Sequence, residues 1–127
     1  MRDLRTLVDK YNVDVVIFED PIYFVDVRRV RKISELMIEQ NLDIRWTGSS
    51  RLEAIKKIDD ETWDVLKKSG ILQIFIGIES ASLTVLKAVG KKYTADDIVD
   101  VARILYEKGV TLSCSFIAGT TVDEPGL

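Results

Sequence analysis

Three features of the 127-residue sequence predict an α/β fold built on a parallel sheet. Short continuous apolar runs alternate with stretches in which apolar residues recur every three or four positions, so strand and helix patterns take turns along the chain. The runs are apolar at successive positions rather than every second one, the mark of strands covered on both faces. A helical stretch also separates each run from the next, which is the connection parallel strands require. The resulting order, α-β-α-β-α-β-α-β with one connection carrying a split helix, suits either a doubly wound sheet or part of a (β/α) barrel.

In chain order, RDLRTLVDKY (2–11) spaces Leu4, Leu7 and Val8 as one helical face. DVVIF (14–18) is β-branched and apolar, which predicts a buried strand. Residues 27–40 return to the helical period, with Val27, Val30, Ile33, Leu36 and Met37 on one side. DIRWTGS (43–49) predicts a short strand despite its polar content. Asp59 or Asp60 is placed to cap a helix through ETWDVLKKS, and Gly70 to end it. ILQIFIGI (71–78) is the third strand. Leu83, Leu86 and Val89 mark a short helix closed near Gly90. Thr94 and Asp97 form a capping-box pattern, with Asp in place of Glu, ahead of Ile98, Val101, Ala102 and Leu105, and Gly109 is the expected stop. VTLSCSFIAG (110–119) predicts the fourth strand.

Composition removes several function classes. There is no histidine, which excludes Ser-His-Asp catalysis and the usual zinc sites within this chain. Cys114 is the single cysteine, so the chain has no internal disulfide and no all-cysteine metal site; its place inside a strand predicts a small buried residue. Trp46 and Trp63 are expected in the packing of the core. Eighteen basic and 21 acidic residues give a net charge of −3. The basic cluster RRVRK (28–32) is interrupted by Val30 of an apolar helical stripe, so it reads as a solvated face and no nucleic-acid partner is expected. No apolar run nears the ~20 residues of a membrane span. With charges throughout MRDLRTLVDKYNVD no signal peptide is visible, and the cytoplasm is the default expectation.

Polar groups gather where the predicted strands end: Glu19-Asp20, Ser49-Ser50-Arg51, Glu79-Ser80 and Gly119-Thr120-Thr121. Ligands of parallel α/β sheets sit at those carboxyl ends. The same groups have a plainer reading. Glu19 and Asp20 can cap the next turn, and Glu79 with Ser80 can serve the start of a helix near Ser82. The pattern opens on a helix and closes just after a strand, and four strands leave two open edges. The expectation is therefore a segment truncated at both ends, with either the missing barrel strands of a longer protein or a second copy covering its edges.

Five blocks in order, VIFEDPIYF, SSRLEAIKKIDDETWDVLKKSGI, IGIESAS, LKAVGKKYTADDI and GVTLSCSFIAG, resemble the radical S-adenosylmethionine (radical SAM) enzymes. The nearest branch is that of cobalamin-linked and methylthiotransferase-like members. The resemblance covers essentially the whole chain. It implies a partial TIM-barrel (β/α) segment in an enzyme that uses S-adenosylmethionine and a 4Fe–4S cluster, with cobalamin as a further cofactor of the branch. Such enzymes cleave S-adenosylmethionine reductively to a 5′-deoxyadenosyl radical. Carried over by position, Glu19 and Asp20 fall where the family meets the methionyl amino group. Glu79 and Ser80 fall at the ribose and methionyl portions, and Ile117 and Gly119 on the strand against the adenine. Arg51 and Lys91 match recurrent cationic positions that would face the cofactor carboxylate. The resemblance assigns no catalytic residue and no metal ligand to this chain.

Two departures qualify that resemblance. The family's C-x-x-x-C-x-x-C motif belongs upstream of Met1, and Cys114 cannot replace it, since the cluster takes three thiolates. By itself, then, the chain is expected to hold no cluster. The turn GTTVDEPG also departs from the family's G-x-P-G-E-T, with Thr121 for the proline and Asp123 for the glutamate. A non-catalytic βα binding or assembly module is the competing reading. A flavodoxin-like nucleotide binder is weaker, because no Gly-rich phosphate loop follows any strand. Methyl transfer, methylthiolation, rearrangement and cyclisation share these strands, so they do not specify a substrate.

Overall fold

The computed structural model describes residues 1–119, 121 and 122. Its elements are α1 (Arg2–Tyr11), β1 (Val15–Ile17), a 3-10 turn (Tyr23–Val25), α2 (Val27–Glu39), β2 (Arg45–Ser50), α3 (Leu52–Ile55), α4 (Asp60–Lys68), β3 (Ile71–Glu79), α5 (Leu83–Ala88), α6 (Ala95–Lys108) and β4 (Thr111–Phe116). The four strands form one sheet in the order β1-β2-β3-β4, and every pair is parallel. That is the fold class the alternating pattern predicts.

The helix boundaries follow from local chemistry. The Asp26 side chain accepts from the Arg28 and Arg29 amides at the start of α2. Asp59 does the same for Thr62 at the start of α4. Thr94 and Asp97 make a reciprocal capping box on α6, so the shorter carboxylate does the work of Glu. Gly109 closes α6 in the left-handed conformation. Gly70, just past α4, has φ +93° and passes so close to β2 that a Cβ there would lie 2.2 Å from the Ile44 carbonyl oxygen. Only glycine meets both conditions.

Alternation along the strands divides the sheet into two unlike faces. Trp46, Gly48, Ile74, Ile76 and Ile78 are buried on the face that carries the core, together with Val30, Met37, Trp63, Leu66 and Leu105 of the helices. On the other face Val15, Ile17, Arg45, Thr47, Gln73, Phe75, Ser113 and Ser115 follow one another across the register, and none is buried. Trp46 donates from its indole N–H to the Ser69 hydroxyl at 3.0 Å, which in turn donates to the Leu66 carbonyl at 2.8 Å. The one polar handle of this ring is thereby satisfied inside the core.

Four expectations are corrected. β1 is an edge strand of three residues, and Val15 and Ile17 are 46% and 63% exposed because they point to the uncovered face. Cys114 is exposed as well. It pairs with Ile76 on the packed-face side of β4, but among the described residues nothing lies over it at that edge. The fourth strand ends at Phe116, not at residue 119. Finally, α3 is an extra turn between β2 and α4, too short to show a helical period.

The cations of the 28–32 cluster each face a carboxylate. Arg28 pairs with Asp26, Arg29 with Asp20, Lys32 with Glu35, and Arg31 with both Glu35 at 3.0 Å and Glu61 at 2.6 Å. The Arg31 contacts join α2 to α4. Among the described residues no helix is long and apolar enough to cross a membrane.

Candidate functional site

The carboxyl ends of the strands hold two cavities. The first, about 400 Å³, lies on the open face and is bordered by Ile17, Glu19, Asp20, Thr47, Gln73 and Phe75. Its acidic rim is the loop after β1, which one hydroxyl fastens to β2. Ser49 donates to the Asp20 carbonyl at 2.7 Å and accepts from the Tyr23 amide at 3.2 Å. The Asp20 carboxylate stands 3.5 Å from the Arg29 guanidinium, and Glu19 is exposed with no ion pair among the described residues. Beneath this loop the Tyr23 ring stacks on Phe18 at 4.4 Å and lies against Gly48, where a Cβ would come within 2.7 Å of it. Burial pushes the Tyr23 hydroxyl up to about 12, against the lowering influence of Arg29.

The second cavity, about 440 Å³, opens between the ends of β2 and β3 and the α5–α6 connection, with Ser50, Arg51, Gly77, Lys91 and Tyr93 on its walls. Here β3 leaves regular geometry. Its last pair with β2 is Ser50 with Ile76, and a bulge shifts its register with β4 between Gly77 and Glu79. Glu79 itself takes a left-handed φ of 67°, uncommon for any residue but glycine and its few substitutes.

The three carbonyls around the bulge, those of Gly77, Ile78 and Glu79, find partners. The Ile78 carbonyl accepts from the Ser80 amide at 2.8 Å, and the Glu79 carbonyl accepts from the Ile117 amide at 2.8 Å. The Tyr93 hydroxyl lies 2.9 Å from both the Gly77 and the Ile78 carbonyl oxygens. Lys91 donates to the Gly77 carbonyl at 3.1 Å, and its ammonium is 3.4 Å from the Glu79 carboxylate. That carboxylate is folded back over Gly77, so a Cβ on residue 77 would lie 2.6 Å from Oε1. Burial, reinforced by the Glu79 and Glu53 carboxylates, pushes the Tyr93 hydroxyl up to about 12, which keeps it protonated as a donor.

The structure thus brings Lys91 and Arg51 to one cavity, with Glu79 joined to it through its pair with Lys91, and sets Glu19 and Asp20 at the other. Ser80 uses its hydroxyl locally, accepting from the Ser82 amide at 3.0 Å ahead of α5. Ile117 reaches the group through its backbone bond to Glu79 and is otherwise half exposed. Gly119 has φ +81° and nothing within 4 Å of a Cβ built on it. Thr121 is exposed in a turn, whereas Thr120 and Asp123 lie outside the described residues. Sequence reasoning missed Gly77 and Tyr93. Gly77 stood inside the IGIES block as a close neighbour of Glu79, and that was its one signal. Tyr93 carried no such signal.

The residues present do not fit an iron–sulfur cluster. No group of three or more His, Cys, Asp or Glu among the described residues can hold a metal ion, and Cys114 stands alone on an edge. They do suit a small zwitterionic ligand, offering carboxylates and cations within one set of strand ends.

Known proteins resemble this chain in sequence and in fold. An uncharacterized methyltransferase of Pyrococcus horikoshii is 29% identical over 119 residues, which are 94% of this chain and 25% of that protein. The anaerobic magnesium-protoporphyrin IX monomethyl ester cyclase of Rubrivivax gelatinosus is 22% identical over 117 residues, 92% of this chain and 21% of that protein. The chain therefore spans about a fifth to a quarter of the length of the curated relatives it matches. Among solved structures, the cobalamin-dependent S-adenosylmethionine radical enzyme OxsB, with aqua-cobalamin and S-adenosylmethionine bound, superposes with a TM-score of 0.77 at 22% identity, over 90% of this chain and 18% of that one. The radical S-adenosylmethionine methyltransferase TsrM from Kitasatospora setae, with cobalamin and a 4Fe–4S cluster bound, gives 0.70 at 13% identity, over 91% and 24%. These two likenesses show the fold, four parallel strands with flanking helices as in part of those two barrels. The Radical SAM superfamily profile matches residues 2–124, nearly the entire chain, and the chain belongs to that superfamily.

Proposed function

We propose that this chain presents the cofactor-facing strand ends of a radical SAM enzyme to S-adenosylmethionine, within a longer protein that supplies the cluster ligands. The end of β3 carries the reading. A glutamate held at φ 67°, with its carboxylate seated over a glycine beside a lysine, is a strained arrangement at the carboxyl end of a parallel strand. Strain of that kind concentrates where ligands are handled. In this reading Glu79 accepts from the ribose hydroxyls, and Glu19 and Asp20 receive the methionyl ammonium. Arg51 and Lys91 meet the methionyl carboxylate, while the backbone from Ile117 to Gly119 lines the adenine.

Reductive cleavage of S-adenosylmethionine belongs to the whole protein under this proposal, because no residue described here holds the cluster. Cobalamin, bound in OxsB and TsrM, is the additional cofactor of the same reading. Anaerobic equilibrium titration of the protein carrying this segment with S-adenosylmethionine is the test. Glu79→Gln is expected to weaken binding by about 10-fold or more, the scale of a hydrogen bond to a charged group. Unchanged affinity would remove Glu79 from the cofactor site and sink the proposal.

One observation favours a second reading, a βα module that assembles through its edges. Phe116 on β4 is 63% exposed beside the exposed Cys114. Sedimentation decides it, since a clean monomer at micromolar concentration contradicts edge-to-edge association.

A further inference from the structure

We infer that Tyr93 is a positioning residue, whose hydroxyl fixes the left-handed end of β3 and so sets where the Glu79 carboxylate points. The inference rests on the reading of Glu79 as a cofactor contact. Tyr93 itself is 5% exposed; it forms part of the cavity wall, and its hydroxyl is turned to the backbone before Glu79.

Past Ile76, β3 has outrun β2, and the bulge at Gly77–Glu79 breaks its register with β4. Carbonyls freed in this way must be satisfied from elsewhere or the chain relaxes toward regular strand geometry. The Tyr93 oxygen, 2.9 Å from the carbonyls of both Gly77 and Ile78, bridges the two peptide units directly before Glu79. With those units pinned, the left-handed φ at Glu79 persists, and its carbonyl stays aligned with the Ile117 amide at 2.8 Å. Lys91 complements the brace by spanning the Gly77 carbonyl and the Glu79 carboxylate. Both side chains come from the α5–α6 connection, and Tyr93 immediately precedes the Thr94 cap of α6. The geometry of the strand end is therefore referred to a helix terminus that is itself locked by a capping box.

Tyr93→Phe keeps the buried ring and removes only the shared donor. In the protein carrying this segment, amide hydrogen exchange at Ser80 and Ile117, whose partners are the Ile78 and Glu79 carbonyls, should quicken by roughly 10-fold. Exchange in the middle of α6 should not change. S-adenosylmethionine should bind roughly 3- to 10-fold more weakly to Tyr93→Phe. Combined with Glu79→Gln, the second substitution should add almost nothing, because the two residues act as one unit.

Unchanged exchange at Ser80 and Ile117, or acceleration spread evenly through α6, would overturn the inference. So would fully additive losses in the double variant. If Glu79→Gln alone leaves binding unchanged, the cofactor reading of Glu79 fails, and the exchange pattern by itself then decides whether Tyr93 sets that strand end.

Discussion

The Glu79 carboxylate occupies the volume that a side chain at Gly77 would fill, 2.6 Å from the position of its Cβ. The alanine variant therefore collides with the tip of a flexible side chain, not with backbone. Gly77→Ala is expected to evict the carboxylate while changing folding stability by less than about 1 kcal/mol. Denaturant unfolding checks the second half of that statement. A roughly 10-fold loss of S-adenosylmethionine affinity in the protein carrying the segment checks the first.

Gly48 gives the opposite outcome with the same substitution. A Cβ there comes within 2.7 Å of the Tyr23 ring, which is 2% exposed and wedged among Phe18, Phe24 and Trp46. That ring has nowhere to go. Gly48→Ala should cost about 1–3 kcal/mol, the usual toll of overpacking, read as a lower urea midpoint at unchanged slope.

The backbone of Glu79 stores strain that glycine would release. A left-handed residue with a Cβ costs about 1–2 kcal/mol, and glycine returns part of the gain through its greater freedom in the unfolded chain. Glu79→Gly should therefore raise the unfolding free energy by about 0.5 kcal/mol while weakening S-adenosylmethionine binding. A destabilised Glu79→Gly protein would show that the Glu79 side chain, with its Lys91 pair, matters more to the fold than the strain does.

Asp97 predicts an acid limb in stability. Its hydrogen bond from Lys56, followed by the Thr94 cap, holds its carboxyl down to about 2 from the ordinary 3.8. Because the folded value is depressed, its stabilisation is complete above about pH 4 and drains away as pH falls towards 2. Urea midpoints from pH 5 to 2 should fall more steeply for the parent than for Asp97→Asn, and the two curves should converge near pH 2.

Much of the fold was legible because it rests on short-range rules. The Thr94–Asp97 box, the Asp59 cap and the Gly109 stop all depend on residues within one helical turn, and each sits where its pattern placed it. β1 misled for a physical reason. VVI has the composition of a buried strand, yet which face a neighbour covers is decided by the far side of the sheet. Cys114 misled in the same way, since position inside a strand says nothing about whether a helix lies over it. At the site, IGIES flagged Glu79 and Ser80, but their left-handed turn and the lock from Tyr93 depend on a contact across sixteen positions, from Gly77 to residue 93. No local pattern encodes that.

The two-faced sheet has a consequence for how this scaffold can change. Residues such as Ile74 and Trp46 are tied to their neighbours by volume, and any replacement there must answer to the whole core. Thr47, Gln73, Ser113 and Ser115 point the other way, and none of them is buried among the described residues. Among the described residues their side chains take no part in that core. One set of residues is thus bound to conserve the architecture, and the other is free to acquire new chemistry on it.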